Sequence, residues 1–262
     1  VTGPGVGEGD VLQVQALTVT FGGLTALDQV SLAAHHREIV GVIGPNGAGK
    51  TTLFNVISGF VRASSGDITY GGRTLGRHHV HDLNRFGIAR TLQGVGLCPG
   101  LTVQENVMLG AQSAARADIG SALLGLWRST REERRLAAKA TDLLDELNVG
   151  EYARRMPTSL PYAIQKRASI ARALMAEPTL LLLDEPASGL SGHEMSELGA
   201  LIRSLSGRMT ILLVEHHMDL VMSVCDRLVV LNFGQVIADG TPEVIRGNAE
   251  VATAYLGDEI HA

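Results

Sequence analysis

The run Gly44-Pro45-Asn46-Gly47-Ala48-Gly49-Lys50-Thr51-Thr52 carries the densest chemistry in this 262-residue chain. It fits Gly-x-x-x-x-Gly-Lys-Thr at every fixed position, the Walker A pattern. Glycines let successive backbone N–H groups turn inward around phosphate oxygens. A helix that starts at Lys50 aims its positive end at the same anion. Lys50 then serves the β- and γ-phosphates of a nucleotide, and the Thr51 hydroxyl serves Mg²⁺. A second run, Leu180 to Leu183, ends in Asp184-Glu185. A buried strand that ends in two acids needs a cation or a reacting water to meet them. Asp184 suits Mg²⁺, and Glu185 suits the base that orients or deprotonates the attacking water.

These residues need a strand, a loop and a helix in that order. Alternation predicts strands at Val11 to Phe21 and Thr25 to Leu32, and an apolar run predicts one at Glu38 to Ile43, which feeds the glycine loop. Leu53, Phe54, Val56 and Ile57 suit a helix packed on a sheet. Further strands are expected at Thr179 to Leu183, Met209 to Val214 and Arg227 to Val236. Between Thr102 and Ala176 strand signals fade. Leu136, Ala140, Leu143, Leu144 and Leu147 mark one helical face, with Ser129 and Glu132 as its capping box and Gly150 as its stop.

Composition narrows the class. A hydrophobic share of 45% and a charged share of 19% describe an ordinary globular chain. A net charge of −5 argues against general nucleic-acid binding. No apolar run reaches the length of a bilayer span. Cys98 and Cys225 stand apart, without metal-ligand spacing. His78-His79-x-His81 reads as a solvated loop, and the Gly-rich stretch 1–10 as a mobile leader.

With both motifs in place, the chain resembles the nucleotide-binding subunit of an ABC transporter over about residues 11–257. The resemblance implies an α/β fold. It comprises a RecA-like P-loop NTPase core (about 11–93 and 168–240), an antiparallel β subdomain, an inserted helical subdomain (about 94–167) and a tail (241–262). It implies ATP hydrolysis with Mg²⁺. By resemblance Phe21 stacks on adenine, Gln93 senses Mg²⁺ and the attacking water, and His216 contacts the γ-phosphate. His217, where the family usually has Asp, receives no role.

The same family clamps each ATP between Walker A of one subunit and a signature loop of another. Here the aligned loop is Leu160-Pro161-Tyr162-Ala163-Ile164, which departs from LSGGQ at four positions. Pro161 lacks the hydroxyl and a backbone N–H, and Ala163 is expected to be strained if the loop needs a positive φ there. The D-loop, Ser188-Gly189-Leu190-Ser191, ends in Ser where Asp is common. These departures favour a heterodimer with one stronger and one weaker ATP site. The implied partners are a second ATP-binding subunit, transmembrane permeases and, indirectly, a substrate-binding protein, at the cytoplasmic face of the membrane. A groove from about Gln93 to Glu105, with the helical insertion, is expected to receive a permease helix.

Within the family, Phe21-Gly22-Gly23-Leu24, the segment Gly87 to Gln93 and Ala254-Tyr255-Leu256-Gly257 resemble the ATPases of branched-chain (hydrophobic) amino-acid uptake. Urea-uptake and lipopolysaccharide-export ATPases share much of this pattern, and a weakly hydrolysing subunit with a degenerate signature loop is a further alternative.

Overall fold

A computed structural model of the chain describes residues 10–76, 78, 80–91, 94–111 and 128–259. In chain order the described strands are β1 (Asp10–Phe21), β2 (Leu24–His35), β3 (Ile39–Ile43), β4 (Ser65–Tyr70), β5 (Arg73–Thr74), β6 (Ile88–Arg90), β7 (Leu180–Asp184), β8 (Thr210–Val214), β9 (Arg227–Asn232) and β10 (Gln235–Gly240). The described helices are α1 (Lys50–Ile57), α2 (Val103–Met108), α3 (Arg128–Glu146), α4 (Tyr162–Leu174), α5 (Gly192–Leu205), α6 (Met218–Val224), α7 (Pro242–Arg246) and α8 (Ala249–Glu259).

Strands β2-β1-β4-β5 form an antiparallel sheet, and β10-β9-β3-β8-β7-β6 form a second. In the second, β9, β3, β8, β7 and β6 run parallel and β10 closes the edge antiparallel. Strands β3, β7 and β8 are buried at every position, which explains their unbroken apolar sequence: a parallel sheet covered on both faces has no polar side.

The pleat sorts the sheet's side chains onto two faces. Leu181, Leu183, Ile211 and Leu213 share a core with Val107, Ala140, Leu144, Ile170 and Ile202 from the helices. Leu180, Leu182, Leu212 and Val214 share the other core with Leu53, Phe54 and Ile57 of α1 and with Leu12, Val14 and Leu27 of the antiparallel sheet. Phe54 is fully buried; burying a side chain of that kind is worth about 1.5–3 kcal/mol, which fastens α1 behind the phosphate loop.

Three expectations are corrected. The segment Arg227 to Val236 is a hairpin rather than one strand: Phe233 (φ 44°) and Gly234 (φ 77°) turn β9 into β10. Helix α3 begins no later than Arg128, so Ser129 lies within it rather than at its N-cap position. It ends on Asn148 rather than Gly150. Asn148 is left-handed (φ 56°), the Asn148 N–H donates to the Asp145 carbonyl at 3.0 Å, and the Val149 N–H reaches the Leu144 carbonyl at 2.8 Å. That pairing is a Schellman cap.

Candidate active site

The phosphate loop leaves the carboxyl end of β3 and turns into α1. Gly44 (φ 148°) has no room for a side chain, since a Cβ there would lie 2.1 Å from the Leu231 carbonyl oxygen. Gly49 caps α1 in a left-handed conformation (φ 103°), with the Ala26 carbonyl 2.7 Å from where a Cβ would sit. Lys50 is buried, and its ammonium donates to the carbonyls of Gly44 (2.6 Å) and Pro45 (2.7 Å). The cation is thereby seated within the loop. Asn46 and Gly47 are exposed at its rim, Ala48 is buried beneath, and Thr51 and Thr52 face outward in the first helical turn.

Sheet register brings the acids to this edge. Val42 of β3 pairs with Val214 of β8, and Val214 pairs with Asp184 of β7. Glu185 and Glu215 therefore leave adjacent strand ends beside the loop. In an open α/β sheet that edge is where ligands bind. Asp184 is buried and accepts from Arg90 Nη2 at 2.6 Å. Glu185 sits at φ 47°, a conformation that disfavours side chains other than Asn, Asp and Gly. Its N–H donates to the Val214 carbonyl (2.9 Å), and its carbonyl accepts from Lys166 Nζ (3.0 Å). Burial pushes the Lys166 ammonium below its ordinary pKa, against the opposing pull of Glu215, Glu185 and Asp184.

His216 follows Glu215 and stacks on His217, with ring centroids 4.1 Å apart. Phe21 ends β1 at a hairpin with Leu24 and is 50% exposed, so it is no core residue. Gln93 lies outside the described residues. A donor loop, a seated cation, a hydroxyl and two strand-end carboxylates suit a nucleoside triphosphate with a divalent cation. The donor set fits Mg²⁺, which takes oxygen ligands such as the Thr51 hydroxyl and the Asp184 carboxylate.

The ABC transporter family profile matches residues 27–188, more than half of the chain. The chain belongs to the ABC transporter family of ATP-binding cassettes. A second profile, of branched-chain amino acid ATP-binding cassette transporters, matches residues 235–261. The chain is 41% identical over 250 residues to the high-affinity branched-chain amino acid transport ATP-binding protein BraF of Pseudomonas aeruginosa, covering 95% of this chain and 98% of BraF. It is 42% identical, at the same coverage, to LivG of Salmonella typhimurium, a protein of the same description. The crystal structure of the ADP conformation of the cassette MJ1267 superposes with a TM-score of 0.82 at 29% identity, over 95% of this chain and 99% of that one.

In this ABC cassette the segment expected to be the signature loop is the start of α4. Leu160 is buried, Pro161 is the N-cap, and Tyr162, Ala163 and Ile164 form the first turn. Ala163 is helical rather than left-handed, so the expected strain is absent. A helix start leaves its first N–H groups without intrahelical partners, and Tyr162 and Ala163 keep theirs although Pro161 has none. In the D-loop, Gly189 (φ 80°) lies against Tyr162, with ring carbon Cε1 3.1 Å from a Cβ placed on the glycine. Ser191 caps α5: its hydroxyl accepts from the Glu194 N–H while the Glu194 carboxylate accepts from the Ser191 N–H. Ser at this position meets the need an Asp would meet at an N-cap.

His78 departs from the solvated-loop reading. It is half-buried, its Nε2 lies 2.9 Å from the Ile57 carbonyl, and it meets Phe86 edge-on. His79 and the side chain of His81 lie outside the described residues. Sequence reasoning gave no role to Arg90, Lys166 or Glu215. Glu215 repeats the signal that exposed Asp184, an acid at the end of a buried apolar strand.

Proposed function

We propose that this cassette hydrolyses ATP to drive uptake of branched-chain or other hydrophobic amino acids, working at the cytoplasmic face of the membrane through permease partners. The observation that carries the substrate class is the match of residues 235–261 to the branched-chain profile, joined to 41% identity with BraF across 95% of the chain. Lys50 and the loop N–H groups bind the β- and γ-phosphates, and Phe21 presents an aromatic face to the adenine. Glu185 orients the attacking water and accepts its proton; His216 contacts the γ-phosphate, and Gln93 keeps the part the resemblance implies, sensing Mg²⁺ and the attacking water. Thr51 and Asp184, with Gln93 as the third residue assigned to the metal, would hold Mg²⁺, which would supply charge neutralisation on the phosphates. Among the described residues no helix is long and apolar enough to cross a membrane.

An open groove of about 470 Å³ supports a permease contact. Phe60, Val80, Leu83, Arg90, Leu109 and Arg172 line it, and Phe60 is 54% exposed there. Among the described residues its lining comes from beside α1 and from the helical region, Leu109 of the expected helical insertion included. The signature segment Leu160 to Ile164 and the D-loop Ser188 to Ser191 face a second ATP-binding subunit in this reading, and Pro161 favours a heterodimer.

The test is transport by the assembled system in vesicles with internal ATP. Leucine entry should require ATP and disappear with Lys50→Ala or Glu185→Gln. Urea entry in place of leucine, or leucine entry that survives both substitutions, refutes the reading.

A further inference from the structure

Glu215 is wholly buried, yet it holds the backbone of both loops that leave the ends of β7 and β8. Its Oε1 accepts the Ala187 N–H at 2.7 Å, at the root of the D-loop. Its Oε2 accepts the His216 N–H at 2.9 Å and the His217 N–H at 3.3 Å, and it lies 2.9 Å from His217 Nδ1. Buried charge is tolerated only when paired and hydrogen-bonded, and this carboxylate meets that demand by gripping two loops at once. The countercharge comes from α4. Lys166, 4% exposed, lies two residues past the signature segment and one turn after Tyr162, donates to the Glu185 carbonyl at 3.0 Å and sits over the Tyr162 ring, with Nζ 5.3 Å from the centroid.

Glu185 cannot choose its backbone freely. Its left-handed φ persists only if the surroundings hold it, and three bonds do so: its N–H donates to Val214, and its carbonyl accepts from Lys166 Nζ and, at 3.3 Å, from the Ser188 N–H. The loop after β7, which carries Glu185 and the D-loop, and the loop after β8, which carries His216, are therefore held by two buried charged residues, Glu215 at β8's end and Lys166 on the helix behind the signature segment.

We infer that Glu215 and Lys166 are positioning residues for hydrolysis: Glu215 sets His216 against the D-loop, and Lys166 sets Glu185 against the signature helix. Both are buried and hold the backbone of the loops that carry Glu185 and His216, so both act through alignment. The inference rests on Glu185 as the base.

The test uses the assembled transporter. Glu215→Gln keeps the shape but leaves one oxygen to accept, so one of the two loops loses its tether. Turnover should fall by about a hundredfold, the scale expected for a misplacement of about 1 Å, with KM for ATP and binding of a non-hydrolysable ATP analogue unchanged. Lys166→Met should fall in the same way, and Lys166→Arg, which restores a buried donor, should recover. Unchanged turnover in Glu215→Gln, or a loss of ATP binding that matches the loss of turnover, overturns the inference. If Glu215→Gln does not fold by circular dichroism, the lysine pair decides: equal rates in Lys166→Met and Lys166→Arg overturn it, and recovery in Lys166→Arg alone supports it. Glu185→Gln run in parallel separates the two readings. If that variant still hydrolyses ATP, the assignment of the base falls; if it is inactive while Glu215→Gln is not, only this inference falls.

Discussion

Arg90 and Asp184 form a buried ion pair, with Nη2 2.6 Å from Oδ2 and side chains 9% and 1% exposed. The guanidinium serves further partners. Its Nη1 donates to Asn55 Oδ1 at 2.9 Å and Ser58 Oγ at 2.5 Å, and its plane lies over Phe54 and Phe60. Arg90 thus joins the groove wall to the carboxylate assigned to Mg²⁺. Removing one partner strands the other charge, which costs about 3–5 kcal/mol. Arg90→Ala should lower unfolding stability by about that amount in urea titrations. Arg90→Lys should recover only part, because a point charge cannot serve three acceptors in a planar fork. A loss below about 1 kcal/mol, the scale of an exposed pair, would show that water reaches Asp184.

How far the sequence spoke depended on whether a feature is local. The glycine loop and the strand-end acids are local patterns, and β3, β7 and β8 lie where the apolar runs put them. Strand β6 is three residues long and exists through its pairing of Ile88 with Leu180 and Arg90 with Leu182, which no local pattern carries. The Phe233 turn was hidden because a bulky residue seldom adopts a positive φ. Ala163 was misjudged for the opposite reason: a family glycine suggested a left-handed position where the chain has begun a helix. Glu215 carries the same local signal as Asp184, but what it does depends on Ala187, which comes from elsewhere in the chain.

The two cysteines should behave differently. Cys98 is exposed and Cys225 buried. Desolvation, with Asp226 adding to it, pushes the Cys225 thiol from 9.0 up to about 12. Iodoacetamide at mildly alkaline pH should label Cys98 in the folded chain and both residues in urea. As pH rises above about 9 the unfolded chain releases this proton and the folded chain keeps it, so stability falls through that window. Cys225→Ala should fall less steeply between about pH 9 and 11. Parallel slopes in the two proteins would contradict the assignment.

Glu185 trades backbone comfort for position. A left-handed residue other than glycine costs about 1–2 kcal/mol, and Asn bears that conformation better than Glu. Glu185→Asn should therefore unfold at the same or a higher urea concentration than the unaltered chain while losing ATP turnover. Marked destabilisation would mean that the Glu185 carboxylate itself holds the fold.

The signature segment separates its two departures. Ala163 is helical and buried, so restoring glycine restores no contact and weakens the first turn of α4 by up to about 1 kcal/mol. Pro161 is the consequential change, because it caps α4 without a side-chain acceptor and lacks the N–H that a serine would present. Pro161→Ser should stabilise the helix start by about 1 kcal/mol. In the assembled dimer it should also raise hydrolysis at the ATP held by the partner subunit. With Glu185→Gln silencing this chain's own site, the remaining turnover reports that second site alone. A rise with Pro161→Ser and none with Ala163→Gly assigns the weaker site to the proline; a rise with Ala163→Gly instead would mean that the segment abandons its helical start when the two subunits close.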